Sequence, residues 1–402
     1  MSAASATMVF RNVRIFDGRN PALTEPRNVS VQGCLIESVQ PSGEPARDDA
    51  SRRIIDGDGR VLMPGLIDAH WHATFAAVSV ATAISADPAY LHLVAGVEAE
   101  RTLLRGFTTV RDAGGPTFAL KRAIDEGVIR GPRIYPSGAF ISQTAGHGDF
   151  RTRHEVPRNP CGHLNHMEMA GAVAIADGVD EVLRAVREQL MLGASQIKVM
   201  AGGGVASPYD PIDVTQYTEA ELRAAVDAAE NWGTYVMVHA YTPRSIRQAI
   251  AAGVRCIEHG NLVDDPTAQL MAETNTWWSL QPFLDDEDSI PVPDPAGRLK
   301  QLEVLDGTER AYALARKHGI KVAWGTDTLF DASLAARQGK QLAKMTDWYN
   351  HPKCSRQRRL ATPSCSRAAV SAIRILGSSA SWSKERWPTC CSSRAIRSRT
   401  SD

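Results

Sequence analysis

Apolar and polar positions repeat at two different periods along this chain. Residues 8–17 and 28–39 alternate apolar with polar, with turn-forming residues between them. That period of two predicts strands of a small antiparallel sheet. From about residue 95 the pattern changes, and stretches with helical spacing are separated by short apolar runs. Helices are expected over 96–105, 120–126, 179–192, 219–232, 244–252, 266–273 and 308–318. The intervening runs predict strands over 108–112, 133–137, 196–200, 235–239, 256–259, 277–280 and 322–327. With the apolar run over 61–72 this makes eight strands alternating with helices. The alternation predicts an α/β chain whose main body is a (β/α)8 TIM barrel. The expected boundaries are a small β-domain over 1–62, a barrel over 63–349 and a separate C-terminal stretch over 350–402.

The run at 61–72 closes on His70-Trp71-His72. Side chains two apart on a strand share a face, so both imidazoles point the same way, a geometry suited to gripping a metal. Four other predicted strands end in polar residues of similar chemistry: Lys198, His239, His259 and Asp327. Barrel enzymes carry their active sites at the C-terminal ends of the strands, so these six residues are expected to converge on one cavity.

Composition narrows the function. The chain has 402 residues, 43% of them hydrophobic, enough for a large core. No apolar run approaches the ~20 residues that span a bilayer, and the first residues lack the basic and apolar regions of a signal peptide. The seven cysteines show no zinc-finger or disulfide spacing. A cytoplasmic protein with no membrane partner is therefore expected.

Several segments resemble the amidohydrolase superfamily. They are the lead-in Pro-Gly-Leu-Ile-Asp-Ala-His70-x-His72, the stretch Ile197-Lys198-Val-Met-Ala-Gly-Gly-Gly204, Val238-His239-Ala-Tyr-Thr242, Ile257-Glu-His259-Gly260 and Gly325-Thr-Asp327-Thr. The similarity runs from residue 8 to about 349 and is strongest to the binuclear zinc, prolidase-like and imidazolonepropionase-like branch. That branch includes Xaa-amino-acid dipeptidases, N-acyl amino acid carboxypeptidases and ochratoxin-hydrolysing amidases. The resemblance implies that a small β-sandwich domain is built from both ends of the chain. It also implies two Zn2+ ions, one held by His70, His72 and Asp327 and the other by His239 and His259, with a carboxylated Lys198 bridging them. An ammonium has no lone pair for a metal, whereas a lysine carbamate is a bidentate anion.

The implied reaction is hydrolysis of an amide or peptide bond beside a free carboxylate, in dipeptides or N-acyl amino acids. Asp327 would take a proton from a water shared by the metals and pass it to the leaving amine. His147, in Gly-His147-Gly-Asp149, and Tyr209, in Pro-Tyr209-Asp-Pro, are the candidates for gripping the small-molecule substrate's carboxylate. Trp277, Trp278 and Phe283 suit either an apolar substrate pocket or barrel packing. The family also implies a homo-oligomer. Two alternatives stand beside this reading. One is a cyclic amide hydrolase such as imidazolonepropionase; the other is a non-catalytic protein that binds through a basic tail.

That tail has a composition of its own. Residues 352–402 hold eleven Lys and Arg, two acidic residues, twelve serines and four of the seven cysteines, leaving 34 basic and 43 acidic residues in 1–351. Such a segment suits a nucleic-acid-binding extension. A second explanation is a shifted reading frame. Permitted codons for residues 374–402, read one base earlier, encode a Gly-Lys-Leu-Gly-Val-Val segment followed by Ala-Asp-Leu-Leu-Leu-Val-Glu-Gly-Asp-Pro. That is the terminal pattern of the resembled family, and it leaves no nucleic-acid partner to expect. Sequencing the gene around the Tyr349 codon is expected to find one base lost or gained, and an unbroken frame there would refute the shift.

Overall fold

The computed structural model describes residues 7–18, 22–43, 52–156, 164–207 and 209–349. The tail expected over 350–402, with its shifted frame, lies outside the described residues. What is described falls into two compact units, residues 7–65 with 125–128, and 66–124 with 129–349.

The first unit is a five-stranded sheet of β1 (Thr7–Ile15), β2 (Arg27–Gln32), β3 (Leu35–Pro41), β4 (Arg52–Asp56) and β5 (Val61–Leu62). Its order is β3-β2-β1-β4, with β5 also paired to β1. Two expectations are corrected here. The run over 28–39 is two strands, because Gly33, at φ 61°, turns the chain back within a tight hairpin that pairs Gln32 with Leu35. The sheet is mixed, because β4 and β5 both run parallel to β1. Val9, Val13, Phe16 and Val29 are its buried apolar residues, while edge strand β3 exposes Leu35, Ile36 and Val39.

The second unit is α/β with parallel strands throughout. β6 (Leu66–Trp71), β7 (Phe107–Asp112) and β8 (Arg133–Pro136) form one arc in that order. The second arc contains β9 (Phe140–Ser142), β10 (Val173–Ile175), β11 (Ile197–Met200), β12 (Val236–Ala240), β13 (Cys256–His259), β14 (Trp277–Leu280) and β15 (Val322–Trp324), ordered β10-β9-β11-β12-β13-β14-β15. Strands β9 and β10 are too short to show a period and escaped the sequence reading. The two arcs are not joined into a single closed ladder.

Helices pack outside the strands and start and stop for local reasons. Thr218 and Glu221 form a capping box on helix Glu219–Asn231. Asp264 and Asp294 cap helices that have proline in their first turn. Gly193 and Gly319 end their helices in the left-handed conformation. The longest helix, Pro295–His318, begins well before the expected 308 because its first half has little apolar periodicity to read.

The register sorts side chains by face. Val199, Val238, Ile257 and Trp278 lie in one buried outer cluster with Leu222, Ile246 and Tyr312 from the helices. The alternate row joins Met200, His239, Glu258 and Ser279 across β11 to β14, and one row below it runs Lys198, Met237 and Cys256. These rows face the interior.

Between β15 and β6 side chains and loop backbone replace a ladder. The Asp68 carboxylate accepts hydrogen bonds from the Thr326 N–H (3.1 Å), the Thr326 hydroxyl (2.7 Å), Gln338 Nε2 (2.8 Å) and the His70 N–H (3.1 Å). The Asp327 N–H donates to the His70 carbonyl at 2.8 Å. Gly325 sits so close that an added Cβ would lie 2.5 Å from the His70 backbone nitrogen. Gly325→Ala is therefore expected to destabilise the protein by ~1–3 kcal/mol. Gly339→Ala, in open space on a helix, is expected to leave it unchanged or up to ~1 kcal/mol more stable. Thermal melting of the two variants checks both.

Candidate metal centre

His70 and His72 leave β6 on one face, as the spacing predicts, and both meet the carboxylate of Asp327 from beyond the end of β15. His70 Nε2 is 3.3 Å and His72 Nε2 3.2 Å from Asp327 Oδ1. His259 approaches the other oxygen, with Nδ1 3.9 Å from Oδ2. Donor atoms of His70, His259 and Asp327 all lie within 4.8 Å of one another. His239 continues the cluster, its ring centroid 4.6 Å from that of His259, which is itself 4.9 Å from that of His70. Lys198 is fully buried on β11, with Glu258, Asp327 and Arg111 as its charged neighbours.

His259 reaches this cluster only because the backbone turns. Its register partner is Ala240, on the row that faces outward, so simple alternation would point it away from His70. Its φ of 74° reverses that, and both Glu258 and His259 then converge on the same centre. Asp327, at φ 48°, is likewise held in the left-handed region that non-glycine residues seldom occupy. Trp278 fixes the turn at His259 by donating its indole N–H to the His259 carbonyl at 2.7 Å.

Each histidine has one ring nitrogen held by a protein group; for His259 this is Nδ1, the nitrogen that also lies near Asp327. His70 Nδ1 meets Glu258 Oε2 at 2.7 Å, and His72 Nδ1 donates to the Gly114 carbonyl at 3.0 Å. His239 Nε2 donates to the Gly203 carbonyl at 3.0 Å, and His259 Nδ1 meets Gln281 Oε1 at 2.8 Å. The second nitrogens of His70 and His72 face the Asp327 carboxylate. Metal-binding histidines are oriented in this way, by carboxylates and carbonyls behind them.

Electrostatics favours the donor form of each group. Burial pushes His70 down to about 4 even though Asp327 pulls the other way, and burial holds His239 and His259 well below their ordinary range. Burial works against the charge of Asp327, but His70, His72 and His259 outweigh it and keep this carboxyl below the usual carboxylate range. His72 is the exception: burial is the largest single influence and lowers it, but its bond to Asp327, the charges of Asp327 and Asp112 and the Gly114 carbonyl together raise it. Burial also lowers Lys198, favouring its neutral amine. Neutral imidazoles at His70, His239 and His259, an ionised carboxylate and an uncharged amine suit a cation site, and His72 would give up its extra proton to a bound ion, so this donor set fits a metal.

His147 lies beside these ligands. Its ring stacks on His239 at 4.1 Å, its Nδ1 is 2.7 Å from the Ser207 hydroxyl, and its backbone N–H donates to Gln216. Gly204 is required at this point, because an added Cβ would fall into the His147 ring. Tyr209 is partly exposed and donates its hydroxyl proton to the Arg151 carbonyl at 2.7 Å. Phe283 lies 6.1 Å from His259, in an apolar wall with Ile212 and Tyr241. The two tryptophans serve packing: Trp278 belongs to the outer core and Trp277 to an interior cluster with Met237 and Cys256.

Sequence reasoning missed the residues behind the ligands: Asp68, Arg111, Asp112, Glu258 and Gln281. Asp68 had a legible signal, since it precedes His70 by two on the same strand face. Glu258 had none, being masked by the alternation that His259 breaks.

The chain belongs to the amidohydrolase family, whose model matches residues 61–363. An ochratoxinase from Aspergillus niger is 35% identical over 282 residues, which is 67% of this chain and 58% of that protein. The chain thus spans just over half the length of that curated relative. Among solved structures, a prolidase complexed with N-methylphosphonate-L-proline superposes with TM-score 0.78 at 34% identity, covering 92% of this chain and 88% of the other. A Xaa-Pro dipeptidase with methionine in its active site gives TM-score 0.75 at 26% identity, covering 92% and 89%.

The histidines carry a pH signature. His70 and His147 both sit at about 4 in the folded protein against 6.5 ordinarily. Between those values the unfolded chain binds more protons than the folded one, so stability is lost as pH falls from about 6.5 to about 4. The melting temperature of the chelator-treated protein is expected to drop across this window. A flat profile there would contradict the buried neutral imidazoles.

Proposed function

We propose that this protein is a binuclear metal-dependent hydrolase of amide bonds adjacent to a free carboxylate, in dipeptides or N-acyl amino acids. The observation that carries the reading is the group of four imidazoles, each with one nitrogen held by a protein group, around one buried ionised aspartate and one buried lysine. In this reading the two arcs of strands are parts of one (β/α)8 barrel whose strand ends hold the site, and the five-stranded sheet is part of a β-sandwich.

His70, His72 and Asp327 would hold one zinc ion and His239 and His259 the other. The two oxygens of Asp327 face different histidines, which suits a carboxylate set between the pairs. Lys198 supports the bridging role because carboxylation by CO2 needs an uncharged amine, the form that burial favours. When bound, the metals would polarise the scissile carbonyl and make water acidic enough to ionise near neutral pH.

The chain's own groups do the rest. Asp327 accepts the proton of the attacking water on a carboxylate oxygen and delivers it to the nitrogen of the leaving amine. His147, with Nδ1 met by the Ser207 hydroxyl, presents Nε2–H to the substrate carboxylate. Tyr209 is less suited to that task, since its hydroxyl proton is committed to Arg151. The wall of Ile212, Tyr241 and Phe283 excludes water beside His259.

A screen of dipeptides and N-acyl amino acids, with metal content measured alongside, tests the proposal. Two zinc ions per chain and turnover of at least one such substrate are expected. Asp327→Asn should retain metal yet lose roughly 10²–10⁴-fold in kcat, the size of a general acid–base contribution. Undiminished turnover in that variant, or no turnover of any substrate by the metal-loaded protein, would count against the reading.

A further inference from the structure

Behind His70 lies a buried chain of charged groups that no ligand role accounts for. Glu258 Oε2 meets His70 Nδ1 at 2.7 Å, and its other oxygen accepts from Arg111 Nη2 at 2.7 Å and from the Cys256 thiol at 3.1 Å. The Arg111 guanidinium is engaged on its other edges as well. Its Nε donates to the Ala69 carbonyl at 2.6 Å, and its Nη1 reaches the Tyr235 hydroxyl at 3.3 Å and Cys256 Sγ at 3.5 Å. Arg111, Glu258 and His70 are all buried.

Two aspects of this arrangement set it apart from simple filling of the interior. Arg111 holds His70 twice, through the carbonyl of the preceding residue and through the carboxylate that orients the ring. The chain also crosses between arcs that share no ladder, since His70 and Arg111 stand on β6 and β7 and Glu258 on β13. A guanidinium can do this because its donors lie in one plane and point along fixed directions. An apolar side chain of similar volume would leave the Glu258 carboxylate buried with less compensation.

We propose that Arg111 is a positioning residue: through Glu258 it keeps His70 in the Nδ1–H tautomer, with Nε2 aimed at the centre, and so sets metal affinity without touching metal or substrate. The inference rests on the metal reading above. It concerns the side of the centre served by His70, because His239 is held by Gly203 and His259 by Gln281 Oε1; the Gln281 Nε2, 3.4 Å from His70 Nδ1, is a weaker second neighbour of that ring.

The test measures zinc affinity by competition with a chromophoric chelator, the tautomer of His70 by 15N spectra of histidine-labelled metal-free protein, and the melting temperature. In the parent protein His70 should show the Nδ1–H signature. Arg111→Met is expected to weaken one of the two metals about 10–100-fold, as loss of an outer-shell partner does, to leave the other within about threefold, and to broaden or shift the His70 signature. Arg111→Lys, which restores charge but not the planar fork, should recover only part of the affinity. Glu258→Gln, which preserves volume, gives the same reading if Arg111→Met does not fold. A lower melting temperature with both affinities and the His70 signature unchanged would overturn the proposal and leave Arg111 a structural ion pair. A parent protein that binds no metal at all would instead overturn the functional reading on which it rests.

Discussion

A buried imidazole offers a lone pair in a chosen direction only when its second nitrogen is already held. Everything around the centre follows from that constraint. Four histidines require four partners, and the fold supplies two backbone carbonyls, from Gly114 and Gly203, one amide, Gln281, and one carboxylate, Glu258. Carbonyl and amide partners are nearly free of electrostatic consequence. The carboxylate is not, and a charge in this interior demands another behind it. Arg111 meets that demand, and its guanidinium is seated in turn against the Tyr235 hydroxyl and Cys256.

How much of this could be read in the sequence depended on whether a feature was periodic. The helices and most strands of the second unit were legible because burial on one face imposes a repeat. Strands β9 and β10 were not, since three residues cannot display one. In the first unit the run over 28–39 kept its alternation straight through a hairpin, so only the glycine at 33 marked the reversal. The parallel pairing of β4 with β1 depends on contacts remote in sequence and leaves no local trace.

The site shows the same division. His70 and His72 followed from strand alternation alone, and the histidine, lysine and aspartate at later strand ends followed from where barrel strands terminate. The expectation for His259 rested on strand termination alone. That residue stands on an outward row and turns inward only through a positive φ, which Trp278 helps to hold. The supporting residues were harder to see because a buried charge in the middle of an apolar strand looks, in one dimension, like an interruption.

The seam between β15 and β6 has a further consequence. Ladder hydrogen bonds within each arc make neighbouring strands move together, but here the Asp68 carboxylate, beside one backbone bond from Asp327, ties the strand that carries His70 to the turn that carries Asp327. The donors on one arc and the donors on the other are thus parts of a clasp whose hinge is a side chain. An ion seated among them would act as its pin, so that occupancy of the centre and the join between these two strands become a single event.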